Sequence, residues 1–129
     1  MDRISYDEFR KVDVRMGTVV SAEVPEWSHW VIKMKVDLGP EIGEKTCFSG
    51  IMKFFKPKDL EGKQFPFVIN LEPKKVGPEK EFSEVMMIMC VPKEDESARN
   101  ASSKADVGGE TPTILLESQE KVENGTKVL

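Results

Sequence analysis

The chain has 129 residues, 39% of them apolar and 33% charged, with a formal net charge of −4. That length suits a single domain with a real core, and the mixture is ordinary for a globular fold. The longest apolar run, Val85 to Val91, is far short of the roughly 20 residues of a membrane helix, and the N-terminus lacks an apolar signal core, so a cytoplasmic protein without membrane insertion is expected.

Ser5-Tyr6-Asp7-Glu8 has capping-box spacing and predicts a short helix through Lys11, with Phe9 and Val12 on its inner side. Val12 to Met16 alternates with the period of a strand. Gly17 interrupts it and predicts a bulge or sharp bend, after which Thr18 to Val24 continues the strand. Pro25 to Ser28 reads as a loop, and Trp30 to Leu38 as a second strand with Val31, Lys33, Lys35 and Asp37 on one face. Gly39, Pro40 and Gly43 punctuate a connection to a third strand, Lys45 to Phe48. Ile51, Phe54 and Phe55 have helical spacing, which predicts a helix over 50–55 ended by Pro57 and followed by a turn at Asp59 to Gly62.

The fourth strand is expected over Phe65 to Leu71 and the fifth over Phe82 to Val91. Lys93 to Thr111 is polar and acidic without aromatics, the composition of a mobile loop. Thr113 to Leu116 reads as a short strand, and Asn124-Gly125 turns into a last one, Thr126 to Leu129. Several short strands, a helix between the third and fourth, and a glycine inside a long first strand describe an all-β, OB-type five-stranded barrel with extra C-terminal strands, one domain over 1–129.

No catalytic grouping is visible: there is no G-x-S-x-G, P-loop or H-E-x-x-H, and His29 has no companion ligands at metal spacing. Neither an enzyme, a metal site nor a cofactor is expected. Cys47 and Cys90 sit apart in apolar stretches and read as two buried reduced thiols, with a disulfide between them left open. Met52, Met86, Met87 and Met89 read as core, or alternatively as an adaptable peptide-accepting surface.

Charge is unevenly spread. Lysines gather at Lys53, Lys56, Lys58 and Lys63 and again at Lys74, Lys75 and Lys80, whereas acidic residues concentrate in the C-terminal third. Lysines beside Gly and Pro turns suit a surface that presents cations to a polyanion, although an overall negative charge weakens its field. Lys74 and Lys75 follow Pro73 and are expected to project from a rigid turn onto phosphate, unless they are simply solvated. Ser83 offers a hydroxyl either to phosphate or ribose or to the backbone of its own turn. Trp27, His29 and Trp30 lie in the loop between the first two strands, where aromatics stack bases, form a peptide pocket, or pack at a seam.

From Ile4 to Val91, and again from Thr113 to Val128, the chain resembles the tRNA-binding OB-fold domains. These occur as stand-alone structure-specific tRNA-binding proteins and as the C-terminal domain of methionyl-tRNA synthetases. The resemblance rests on Val12-Asp13-Val14-Arg15, Gly17, Val36-Asp37-Leu38-Gly39, Ser49-Gly50-Ile51, Pro57, Gly62-Lys63, Asn70-Leu71, Pro73-Lys74-Lys75, Ser83 and Gly125. Ser83-Glu84-Val85-Met86 and Gly39-Pro40-Glu41-Ile42-Gly43 are most similar to the CsaA-type branch. The resemblance implies binding of tRNA or other structured RNA, and homodimers built through the outside of the first strand and the terminal segments. It also implies, as the alternative, an export-related chaperone binding unfolded or pre-secretory peptides. The segment between Lys75 and Ser83 departs from the family in its length and in Pro78, Glu79 and Glu81, which dilute its cationic character.

Overall fold

The computed structural model describes residues 1–92 and 113–129, so the expected mobile loop over Lys93 to Thr111 lies outside the described residues. A ten-residue strand, β1 (Val14–Glu23), organises the barrel because it bonds to three others. Its first half pairs antiparallel with β4 (Gln64–Val68), from Val14↔Val68 to Thr18↔Gln64. Its second half pairs with β2 (Ile32–Asp37), from Thr18↔Asp37 to Glu23↔Lys33. Outside β2 lies β3 (Glu44–Ser49) and outside β4 lies β7 (Met86–Met87), so the order is β3-β2-β1-β4-β7.

The sheet curls until its two edges meet. The Glu84 N–H donates to the Thr46 carbonyl at 2.8 Å, and the Thr46 N–H donates back to the Glu84 carboxylate at 2.9 Å. One step along, the Phe48 N–H donates to Ser83 Oγ at 3.0 Å. Two side chains thus take acceptor positions that a strand carbonyl would fill in a regular ladder, and the all-β barrel of OB type is nearly closed.

Alternation supplies the core. Ile32, Met34 and Val36 point inward from β2, and they meet Val19, Leu38, Cys47, Ile51, Phe65, Phe67, Val85 and Met87. Leu60, on the one-turn helix α3 (Pro57–Leu60), completes this core. The segment after α3 is tied to β1 by Gly62 N–H to Val19 O at 2.8 Å and Val19 N–H to Lys63 O at 3.0 Å.

Smaller elements tie the ends down. The capping box on helix α1 (Tyr6–Phe9) forms as expected, with Glu8 N–H to Ser5 Oγ at 3.1 Å and Ser5 N–H to Glu8 Oε1 at 2.9 Å. The expected last strand is β10 (Lys127–Val128), which pairs with the start of β1, and the expected strand before it is β9 (Ile114–Leu115), which pairs with β8 (Met89–Cys90). The Gly39–Gly43 connection contains a helical turn, α2 (Gly39–Ile42), and the C-terminal strap crosses it closely. A Cβ on Gly39 would stand 2.3 Å from the Asn124 carbonyl oxygen. Asn124 Oδ1 accepts from Thr18 Oγ1 at 2.7 Å and from Gln64 Nε2 at 2.9 Å, anchoring the strap on both β1 and β4.

Four expectations are corrected. Gly17 is not a bulge: the register shift falls between Val19 and Ser21, whereas a Cβ on Gly17 would sit 2.6 Å from Val36 Cγ1 and 2.7 Å from Leu38 Cδ2. Residues 50–55 form no helix, only a turn in which the Ile51 carbonyl accepts from both Phe54 and Phe55. Pro57 begins a helix instead of ending one, because at the first helical position its missing N–H and preset φ cost nothing. The inner side expected for Phe9 and Val12 is open in one chain, with exposures of 50% and 47%.

The expected fifth strand is broken into β6 (Glu81–Ser83), β7 and β8, since the chain leaves one partner for another at each break. β6 pairs with β5 (Lys74–Val76), a hairpin the sequence pattern did not announce.

The space above Gly17 yields a direct test. Val36 and Leu38 are fully buried, so they have little room to retreat from an added methyl. Gly17→Ala is expected to destabilise by about 1–3 kcal/mol, the usual cost of overpacking, read as a lower midpoint in chemical denaturation with an unchanged slope.

Candidate nucleic-acid interface

The outer face of β2 and β3 forms a floor. Opposite the buried residues, β2 presents Lys33, Lys35 and Asp37, and register places Phe48 beside Lys33 and Thr46 beside Lys35. The β1–β2 loop reaches this floor. Its Ser28 is buried, and Ser28 Oγ accepts from the N–H groups of Trp30 at 3.1 Å and Val31 at 3.0 Å. That local bond sets a tight turn and sends the two tryptophans to different neighbours.

The Trp27 ring lies 6.1 Å from the Phe48 ring at a 37° tilt, and it also covers Gly77 of the β5–β6 hairpin. A Cβ on Gly77 would come within 2.4 Å of the indole, and Gly77 has a φ of +78°, so both space and backbone call for glycine. Trp30 instead lies beside Gly50, and its carbonyl accepts from the Met52 N–H at 3.2 Å. The loop therefore touches both lysine-bearing segments. Trp27, His29 and Trp30 do not form one pocket: Trp27 is half-buried, while His29 and Trp30 are exposed.

The hairpin changes the expected geometry of Lys74 and Lys75. They belong to strand β5 and not to a turn, and consecutive strand residues point to opposite faces. Lys74 pairs with Ser83, on the face that carries Val76 and Glu81, and Lys75 pairs with Phe82 on the other. Both lysines are exposed, and among the described residues neither has an ion-pair partner. Glu81 is not a free anion diluting them. Its carboxylate accepts from Lys33 Nζ at 2.5 Å, and that hydrogen bond raises the Lys33 pKa against the opposing pull of burial.

The remaining expected site residues are spread more widely. Lys53 is exposed on the turn after Ile51, adjoining Met52 and hence Trp30. Lys56 and Lys58 flank and occupy α3, which packs on β1. Ser83 Oγ accepts from Phe48 and donates to the Val85 carbonyl at 3.3 Å, the backbone-bonding alternative foreseen for it. Sequence reading overlooked Phe48, Phe82, Lys33 and Glu81. The alternation of Lys75-Val76 with Glu81-Phe82 about Gly77-Pro78 was the available signal.

A wide groove of about 920 Å³ opens between Thr18, Val20, Asp37, Pro40 and the strap at Lys121 to Asn124, and it contains none of these expected lysines. Its Thr18, Gln64 and Asn124 side chains bond to one another.

The other soft spots separate cleanly. Cys47 is buried and Cys90 is exposed, and both are free, which corrects the expectation of two buried thiols. Met87 is buried, and Met52 and Met89 pack partly buried on the core, but Met86 is exposed.

A small OB-type barrel with two loops folded over a floor of lysines and an aromatic is a class of ligand-binding module. The family described as "Putative tRNA binding domain" matches residues 14–127, and the chain belongs to that family. Over 112 residues it is 35% identical to a methionine–tRNA ligase of Clostridium tetani, covering 87% of this chain and 16% of the ligase. The chain thus spans about a sixth of that relative's length. Among solved structures it is similar to a MetRS-related protein from Pyrococcus horikoshii (TM-score 0.79, 32% identity, all of both chains covered). It is also similar to the chaperone CsaA of Bacillus anthracis (TM-score 0.75, 28% identity, covering 99% of this chain and 100% of that one).

The two thiols differ in chemistry as well as position. Burial pushes the Cys47 pKa from 9.0 up to about 12. An unfolded chain loses that proton at lower pH than the folded one, so this contribution to stability declines as pH climbs from 9.0 towards 12. Lys33 acts in the same direction, because its stabilisation is complete below 10.5 and is lost as pH rises through its raised folded value. Near neutral pH one thiol, Cys90, is expected to react quickly with an aromatic disulfide reagent, and Cys47 only after denaturation. Two equally fast thiols in the native protein would contradict this assignment.

Proposed function

We propose that the chain is a non-catalytic, single-domain RNA-binding protein that recognises tRNA or similarly structured RNA through the β2–β3 face and its two lysine-bearing loops. The observation that carries this reading is the family match over residues 14–127, together with a β1–β2 loop that joins both lysine segments over one floor. Lys53, Lys56, Lys58, Lys74 and Lys75 supply phosphate contacts, and Lys35 extends them across the floor. Contacts of this kind register shape and backbone position more than base identity.

Backbone neutralisation makes affinity fall steeply with salt. In tRNA titrations at several salt concentrations, replacing both Lys74 and Lys75 by Ala is expected to flatten the log–log slope by about 1.4–1.8, two phosphates at ~0.7–0.9 each. An unchanged slope would remove these lysines from the interface. A second reading, peptide binding by a CsaA-like chaperone, is favoured by the likeness to the B. anthracis protein and by the exposed Trp30. An unfolded polypeptide in the same titration separates the two, because apolar burial gives weak salt dependence and a negative heat-capacity change.

The working unit is a homodimer. Tyr6, Phe9, Val12, Val14, Val128 and Leu129 line an apolar hollow of about 190 Å³ where the two terminal segments meet beside β1. Apolar side chains gathered from both chain ends and left open in one copy suit burial against a second. Light scattering on the eluting protein is expected to give twice the chain mass of 14.6 kDa, and a single-chain mass would overturn the dimer.

A further inference from the structure

The β5–β6 hairpin has one side committed to the barrel and one side free. On the committed side Glu81 holds Lys33, Ser83 Oγ takes the Phe48 N–H, and the Trp27 ring covers Gly77. A two-stranded ribbon this short is not stable alone, so these attachments decide which side faces outward. On the outward side Lys75 and Phe82 are direct cross-strand partners. Both are exposed, Phe82 with 46% of its surface open, and among the described residues its ring meets no other ring. Phe82 thus keeps nearly half of its surface in water beside an ammonium that has no ion-pair partner among the described residues.

We propose that Phe82 and Lys75 form a stacking subsite for one unpaired base of the bound RNA, with the ring against the base and the ammonium on the neighbouring phosphate. This rests on the RNA-binding reading and deepens it: the ligand must present an unstacked nucleotide, and phosphate geometry alone is not its whole signature. Every base has a π-face, so such a contact tolerates sequence while distinguishing single-stranded from fully paired RNA. With Glu81 held by Lys33, the hairpin keeps Lys74, Lys75 and Lys80 against one remaining carboxylate, Glu79, a balance that favours a polyanion over an apolar peptide segment as the partner of the ring. Lys33 and Glu81 are positioning residues, since they aim the outward side without touching the ligand.

The test uses a short oligoadenylate and a blunt RNA duplex of equal length as probes, at one salt concentration, against the wild-type protein and Phe82→Leu, Phe82→Ala and Phe82→Trp. Loss of one stacked base weakens binding by about 5- to 150-fold. That loss is expected for the oligoadenylate with the Leu and Ala variants, with duplex binding unchanged and oligoadenylate affinity restored by Trp. Thermal melts of Phe82→Leu should match wild type and thereby separate stacking from folding. Three results overturn the subsite: full oligoadenylate affinity in Phe82→Leu, which would mean apolar contact suffices; an equal loss on the duplex; or failure of Trp to restore binding. If wild-type protein binds neither probe nor tRNA, the RNA-binding reading falls with it. If it binds tRNA but Phe82→Leu and Phe82→Ala cost nothing, only the subsite falls.

Discussion

The whole barrel depends on one strand being able to serve three partners. β1 carries β4 along its first half, β2 along its second and β10 at its start. At the hand-over point Thr18 pairs with both Gln64 and Asp37. Just before it, Gly17 leaves room for Val36 and Leu38 to close over the strand, and just after it the register slips between Val19 and Ser21. A side chain at Gly17 would hold Val36 and Leu38 away, and a strand without the slip would keep a single register along its whole length. Closure through Ser83 and Glu84 follows from that curvature, because only a strongly coiled sheet brings β3 and the β6–β7 segment within hydrogen-bond distance.

Three attachments hold the hairpin over the floor: the Lys33–Glu81 ion pair, the Phe48–Ser83 hydrogen bond and the Trp27 ring over Gly77. Lys33 and Glu81 form a partly buried ion pair, with 20% and 31% of their side chains exposed. Trp27, half-buried, packs its ring against Phe48 and over Gly77. The ring supplies the apolar contact, and the ion pair and the hydrogen bond fix the direction of the hairpin. This division also explains how an acidic chain presents a cationic edge. Glu81 is spent on Lys33, which leaves Lys74 and Lys75 without ion-pair partners among the described residues.

Several of the polar residues on which the sequence resemblance rests serve the frame. Arg15 has only 14% of its side chain exposed, donates to Asp13 at 2.7 Å and reaches the Gly125 carbonyl at 3.1 Å, joining the start of β1 to the C-terminal turn. Asn70 accepts from the Asp13 N–H at 2.9 Å and donates to the Lys11 carbonyl at 2.6 Å, which seats the segment after α1 on the end of β4. Ser83 closes the barrel. The hydrogen bond of Arg15 to Asp13, and more weakly the one to Glu41, raises its pKa against the opposing effect of burial, in keeping with a cation held for structure. Arg15, Asn70 and Ser83 accordingly tie the frame of the barrel together.

What the sequence determined by itself was everything set by local rules: the Ser5–Glu8 capping box, the alternation of β2, and the turn at Asn124-Gly125. Each depends on neighbours a few residues away, so spacing alone carries it. What only the tertiary structure decided was set by partners far along the chain. Gly17 reads as a bulge or a sharp bend until Val36 and Leu38 are placed above it. Pro57 reads as a helix end until α3 is seen to start there. Lys74 and Lys75 read as a pair, yet pairing with Ser83 and Phe82 sends them to opposite faces. Two tryptophans three residues apart part company because Ser28 turns the loop between them, with Gly77 waiting beneath one ring and Gly50 beside the other. The candidate site consists almost entirely of such long-range juxtapositions, which is why its lysines were legible by composition while its geometry was not.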